Sequence, residues 1–288
     1  MATKKLKRSE PVPDGVRRLA LQRLERALEV LASGDPDAIH EVRKELKQVR
    51  ALLRLVRSEL GSKRFAAENA RYRDIARPLS AIRDSQALVQ AAQKLAGTQS
   101  PLVKALKVRH RAVQHQLLVD EHQLERSTRA LEQGMRTVSR WKLEHRGWKA
   151  LGPNLERVMS RCRRAMAQAK HSGEDDALHS WRKQAKYLRA VLGVGAPAWP
   201  KVVRELDHGL HRLADALGDD HDLAVLEGLI DRGELQLGST LATHSRATIH
   251  ARRRKLQAES FKLGEKLFAR EPTELVQAMH AGWKAWRS

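Results

Sequence analysis

The stretch HEVRKELKQVRALLRLVR, residues 40–57, carries a cation on nearly every helical turn together with a full set of aliphatics. Set on a helix at ~100° per residue, His40, Arg43, Lys44, Lys47, Arg50 and Arg54 fall within a sector of roughly 120°. Val42, Leu46, Val49, Leu53 and Val56 lie on the other side, with Leu52 at its edge. One face is built to pack and the other to meet anions. Ordinary solvated faces intersperse acids at i±4 to offset their cations. Here Glu41 and Glu45 sit off the stripe, at ~100° and ~140° from His40 on the same wheel, which leaves the stripe almost purely positive.

The pattern occurs twice. At an offset of 139 residues, His40, Arg43, Lys44, Lys47 and Arg50 match His179, Arg182, Lys183, Lys186 and Arg189 in the stretch HSWRKQAKYLRAVLG. At an offset of 138, Leu79 and Asp84 match Leu217 and Asp222, and Arg23, Arg26 and Ala27 match Arg161, Arg164 and Ala165. Identities held in register over this distance imply an internal repeat. The chain is therefore read as a mobile basic tail over residues 1–13, a first helical half over 14–148 and a homologous second half over 149–288. The two halves together form one domain.

Outward from the opening stretch, helical periodicity dominates and no segment alternates with a period of two, so the fold class is all-α. A helix over 16–31 is stopped by Ser33-Gly34-Asp35-Pro36, with Pro36 at the first position of the next helix. That helix runs to Leu60-Gly61, a third covers 63–79, and a fourth starts near Asp84. After a break at 97–101 one long segment reaches residue 132, and Gly134, Gly147 and Gly152-Pro153 mark the join between the halves. Helices over 154–170, around His179, up to Leu217-Gly218, after Asp220 and over 239–267 follow, with a short Trp-bearing helix at the end.

Composition narrows the partner. Of 288 residues, 55 are Lys or Arg against 34 acids, a formal charge of +21, so the compact state repels itself unless a polyanion neutralises it. Aromatics make up 4% of the chain, which leaves few platforms for stacking bases, and no zinc-finger or basic-zipper spacing is present. Nucleic acid is expected to bind only weakly and non-specifically through its backbone; the run HARRRKLQ (Arg252 to Arg254) is read first as a solvated helix face and only second as a contributor to that binding. One cysteine, Cys162, forms no intrachain disulfide. No apolar run of ~18 residues and no secretory pattern occurs, so no membrane partner and a cytoplasmic location are expected. No cofactor or metal is expected.

Two catalytic readings compete. HEVRK and HSWRK fit loosely a histidine phosphotransfer helix. His208, His211 and the run DALGDDHD (215–222) suggest a metal-dependent phosphohydrolase, but such a site needs ligands converging from other helices. The simpler expectation is that Gly218 breaks a helix while Asp219, Asp220 and Asp222 cap the next. The expectation is a protein that is not an enzyme. Several cations on one surface suit closely spaced phosphates, since Arg offers planar bidentate contacts and Lys a mobile point charge. The candidate binding residues are His40, Arg43, Lys44, Lys47, Arg50 and Arg54 with His179, Arg182, Lys183, Lys186 and Arg189. Arg23, Arg26, Arg161 and Arg164 are added from flanking turns. The twinned histidines are read as phosphate donors whose binding is linked to pH.

With HxxRKxxKxxR present twice, and with the LSAIRD and LGDDHD turns, the sequence resembles the CHAD (conserved histidine α-helical domain) family over nearly its whole length after the tail. The resemblance implies two homologous helical bundles related by a pseudo-two-fold axis around a basic central groove or pore. It also implies non-catalytic binding of inorganic polyphosphate, often at polyphosphate granules, and a polyphosphate-metabolising enzyme as a further partner. Fusions to triphosphate tunnel enzymes occur in the family, but the strand-borne ExExK signature of those enzymes is missing here. Gln48, where many members are basic, and Gly193, opposite Arg54, are departures that make the two halves unequal.

Overall fold

A computed structural model of the chain describes residues 5–33, 38–77, 80–118 and 121–288, with side chains at 116–124 excepted. Eleven helices and no strands occur among the described residues. The first six are α1 (Val12–Ala32), α2 (Ala38–Leu55), α3 (Arg57–Ala76), α4 (Ser80–Ala96), α5 (Pro101–Leu118) and α6 (Glu121–Val138). The remaining five are α7 (Trp148–Ser172), α8 (Asp175–Val194), α9 (Pro200–Asp231), α10 (Ser239–Leu267) and α11 (Pro272–Arg287). Leu79 and Gly34 to Pro36, on which parts of the repeat and of the first turn were read, lie outside the described residues.

The stripe helices are anchored by the aliphatics that the wheel placed opposite the cations. In α2, Val42, Leu46, Val49 and Leu53 are fully buried, and in α8 Leu178, Trp181, Ala185, Leu188 and Leu192 do the same work. Removing such side chains from water at ~25 cal/mol per Å² is what holds a helix with this much positive charge to the body. α2 packs on α1, α3 and α8; α8 packs on α7 and α9. The main core mixes residues of both repeats, from Val16, Leu46 and Leu131 to Leu188, Leu210 and Met279. A smaller core joins α4 and α5 to the C-terminal part of α9 and to α10. Cys162 is wholly buried in the main core, and burial pushes its thiol pKa up.

Several local expectations need correction. The tail expected to be mobile through residue 13 is docked from Lys5 onward: Leu6 is 2% exposed and its N–H donates to Val194 O at 3.1 Å. Arg18 holds Glu10, and Arg287 donates to the carbonyls of Arg8 and Glu10, so an apolar anchor and several charged bonds fasten the segment. The expected boundary at Leu60-Gly61 is present: Gly61, with φ 71° and ψ 163°, a region closed to other residues, separates two helical stretches of α3, and the unexpected interruption is the earlier one at Val56, between α2 and α3. The long segment expected after residue 101 is helical over α5 and α6, and residues 119–120 between them lie outside the described residues. α7 starts at Trp148, ahead of Gly152-Pro153, and takes Pro153 into its interior, where the ring removes one i→i−4 hydrogen bond and the buried side chains around it hold the helix together.

The largest departure is at Gly218. α9 runs unbroken from Pro200 to Asp231, so Asp219, Asp220 and Asp222 are helix-interior residues and not caps. Glycine costs about 1 kcal/mol in a helix interior, and packing overrides that propensity here. A Cβ at Gly218 would stand 2.9 Å from Nη2 of Arg182, so the missing side chain is the space in which that guanidinium lies.

Candidate functional site

α2 and α8 pack against each other, and their cationic faces meet at the contact. Lys47 on α2 lies within electrostatic reach of Arg43 and Arg83 and, across the contact, of Arg182. Lys186 on α8 lies in reach of Arg182 and Lys47. Both ammonium groups touch solvent, yet protein atoms crowd them enough that lost solvation, followed by cation repulsion, lowers both pKa values. Lys186 falls to about 8. Surface accessibility together with desolvation places both groups on a partly enclosed surface along the α2–α8 contact, termed the cleft.

Each repeat supplies a matched arginine–aspartate contact at this cleft. Arg43 Nη2 stands 3.9 Å from Asp84, and Arg182 Nη1 stands 4.0 Å from Asp222. These distances lie at the outer limit of an ion pair and exceed hydrogen-bond range. The carboxylates thus hold the guanidinium groups loosely in place. Three buried nitrogens at the cleft have no hydrogen-bond partner: Arg83 Nη1, Arg182 Nε and His179 Nδ1. Buried donors are nearly always satisfied, and each unsatisfied one costs about 1–3 kcal/mol. The two arginine nitrogens among them are donors and stand beside the converging cations.

The histidines of the two motifs are not equivalent. His40 is exposed on the first turn of α2. His179 is half-buried and packed against His221, with ring centroids 4.1 Å apart and the planes tilted by 33°. Burial first, then His221, Lys183 and Arg182, lower the His179 pKa to about 4; burial and Arg182 lower that of His221. Both rings are neutral at pH 7.

Further along the stripes the cations have other partners. Arg50 donates to Asn69 Oδ1 at 3.1 Å and to the Tyr187 hydroxyl at 3.0 Å. The Arg54 guanidinium carbon lies 3.5 Å from the centroid of the Tyr187 ring, and Nη1 donates to Arg50 O at 2.6 Å. Burial, with Arg50, Arg161 and Arg57 nearby, lowers the Arg54 pKa to about 10. Tyr187 thereby sets two arginines of α2 in position from α8. Lys44 pairs with Glu41 at 3.1 Å, an acid that the wheel placed off the stripe but within reach of it. Lys183 is exposed. Arg189 pairs with Asp207 at 2.8 Å.

The flanking candidates divide. Arg161 is exposed and close to Arg54 and Arg57. Arg23 is taken up by Glu45 at 2.9 Å, where the arginine and glutamate side chains are 13% and 3% exposed, so it fastens α1 to α2. Arg26 pairs with Glu29 on its own helix. Arg164 borders a hollow of ≈330 Å³ with Arg163, Glu271 and Pro272, between α7 and α11 and away from the α2–α8 contact. The sequence did not single out Arg83, His221, Tyr187, Arg57 or Arg157. Arg83 and His221 occupy matching positions directly before Asp84 and Asp222, and that register was the available signal.

The run DALGDDHD is occupied by ion pairs. Asp220 is 1% exposed and held by Arg253 at 3.2 Å and Gln257 at 2.9 Å, Asp219 takes Lys94 at 2.9 Å, and Asp215 takes His211 at 3.1 Å. No group of three or more His, Cys, Asp or Glu residues is arranged to hold a metal ion among the described residues. No helix among them is long and apolar enough to cross a membrane.

Comparison with known proteins adds to this geometry. The CHAD domain family model matches residues 16–231. The crystal structure of the CHAD domain from the plant Ricinus communis is similar in fold, with a TM-score of 0.59 and 18% sequence identity over 98% of this chain and 94% of that chain. No curated protein matches.

Proposed function

The chain belongs to the CHAD family, and from that premise we propose that it binds inorganic polyphosphate, without catalysis, in the cleft between α2 and α8. The observation that carries this reading is the meeting of Arg43, Lys47 and Arg83 with Arg182 and Lys186, among buried donors that have no partner. Acceptor oxygens spaced along a linear chain satisfy these donors and relieve the cation repulsion in one step. Arg43 and Arg182 are only 15% and 19% exposed, held inside the cleft. A thin, flexible polyanion reaches both walls. A duplex carries its phosphates on the outside of a wide rod and reaches mainly the rim.

Binding without chemistry suits the surroundings. The His179 ring is half-buried with His221 tilted against it at 4.1 Å between centroids, which leaves little room around it for in-line attack on a phosphoryl group. Association with polyphosphate granules in the cytoplasm, and with an enzyme acting on the same polymer, follows from this reading.

The test is competition at physiological salt between long-chain polyphosphate and duplex DNA for the labelled protein. Polyphosphate is expected to displace DNA at well below matched charge. Equal displacement by the two polymers at matched charge would overturn the reading in favour of generic backbone attraction.

A further inference from the structure

The C-terminal ends of the two stripe helices differ far more than the motifs do. Past Leu55, four guanidinium groups gather from α2, α3 and α7: Arg54, Arg57, Arg157 and Arg161. The framework behind them is rigid. Asn154 is fully buried, accepts from the Ser58 N–H at 3.1 Å and donates to Ser58 Oγ at 2.7 Å, which ties α7 to the first turn of α3. Asn154 Oδ1 also accepts from Arg157 at 3.1 Å. Arg57 lies over the Phe65 ring at 4.5 Å, and Arg54 over Tyr187. No carboxylate among the described residues forms an ion pair with any of the four, and their mutual repulsion lowers the pKa of Arg54 and of Arg57 once burial has acted. Four cations held together on neutral supports stay in place against a real electrostatic cost.

The matching end of α8 is neutral and covered. At an offset of 139, Arg54 corresponds to Gly193, Arg57 to Ala196 and Tyr187 to Gln48. In the register that matches Arg161 to Arg23, an offset of 138, Arg157 corresponds to the buried Leu19. The docked segment from Lys5 to Pro11 lies here, with Leu6 bonded to Val194 near the last turn of α8. Arg161 matches Arg23, but Glu45, which neutralises Arg23, corresponds to Gln184. The repeat has lost or blocked every counterpart of the arginine cluster at one end and kept it open at the other.

We propose that Arg57 and Arg157, with Arg54 and Arg161, extend the phosphate-binding cleft at the α2 end alone, so that a polyphosphate chain leaves the cleft in one direction. This rests on the polyphosphate reading above. The stripe from His40 to Arg57 covers ~25 Å of helix, so a short oligophosphate occupies the cleft without reaching the cluster, whereas a long chain engages both.

The experiment compares Arg57→Gln with Arg157→Gln against a control, Lys262→Gln with Lys266→Gln, which removes the same charge from the exposed face of α10. For long-chain polyphosphate the cluster variant is expected to bind about tenfold more weakly, with a salt slope shallower by ~1.4, or ~0.7 per lost phosphate contact. Its affinity for tripolyphosphate should equal that of the wild type. The control should change neither. Charge-preserving Arg57→Lys with Arg157→Lys separates binding from folding: near-wild-type affinity supports the inference, and a loss equal to that of the glutamine pair overturns it. If the wild type binds long chains and the cluster and control variants are indistinguishable, the one-ended extension is wrong and the cleft stands. If the wild type binds no long-chain polyphosphate, the cleft reading falls, and the extension with it.

Discussion

α2 and α8 carry the same His, Arg, Lys, Lys and Arg at the same spacing, yet only part of that set does the same thing in both. The second and fourth members agree: Arg43 and Arg182 each face an aspartate, and Lys47 and Lys186 share the cleft. The others diverge through residues outside the motif. Lys44 has Glu41 one turn before it, whereas Lys183 has Ser180 at that position. Arg50 is held by neutral partners, Asn69 and Tyr187, and keeps its charge for an anion, while Arg189 is matched to Asp207. His40 is exposed and His179 is packed against His221. The motif sets where the cations stand; their neighbours decide which of them have charge left to offer.

The severest challenge to this comparison is to remove its shared core. Arg43→Glu with Arg182→Glu should weaken polyphosphate binding by at least about 100-fold while leaving far-UV circular dichroism unchanged, because it replaces two attractions with two repulsions. Each single reversal should cost a similar share. A large loss from one and none from the other would show that the repeats are not equivalent even there.

A smaller effect concerns pH. In the free protein Lys186 titrates at about 8, and a bound phosphate holds its proton on. The complex then carries more protons than the separated partners, so affinity falls as pH rises through that value. A decline of about threefold to tenfold between pH 7 and 9.5 is expected for the wild type, and little for Lys186→Arg, whose charge does not titrate there. An unchanged slope in the arginine variant would assign the titration to another group. The sequence pointed to histidine for this role, but His179, at about 4, is neutral well below that window.

The smallest effect tests the divergence itself. Asp207→Asn releases Arg189 from its carboxylate and should raise polyphosphate affinity by about twofold to threefold, the scale of one exposed charge pair. Titration by isothermal calorimetry resolves such a difference. A fall in affinity would mean that Asp207 positions Arg189 for the ligand.

What was legible in the sequence follows from the range of the forces involved. The apolar face of Val42, Leu46, Val49 and Leu53 is a local, periodic signal, and burial follows it directly. The pairing of the two stripes was readable because the repeat placed one helix opposite a copy of itself. Which arginines were taken up was not readable. Glu45 reaches Arg23, and Asp207 reaches Arg189, from neighbouring helices, so a single wheel cannot show either match. Gly218 misled for the same reason: a local rule made it a breaker, while the guanidinium that needs its space comes from α8. The docked N-terminal segment likewise depends on one leucine finding a seat, a contact that composition conceals.

The burial of Cys162 has a practical side. Thiolate, not thiol, reacts with alkylating labels, and this side chain is the only cysteine, fully enclosed and with its pKa pushed up. A cysteine introduced at an exposed site such as Lys183 would therefore be the sole reactive thiol in the native protein. A fluorophore or spin label can be set at the edge of the cleft without first replacing Cys162, and so without opening a hole in the core behind it.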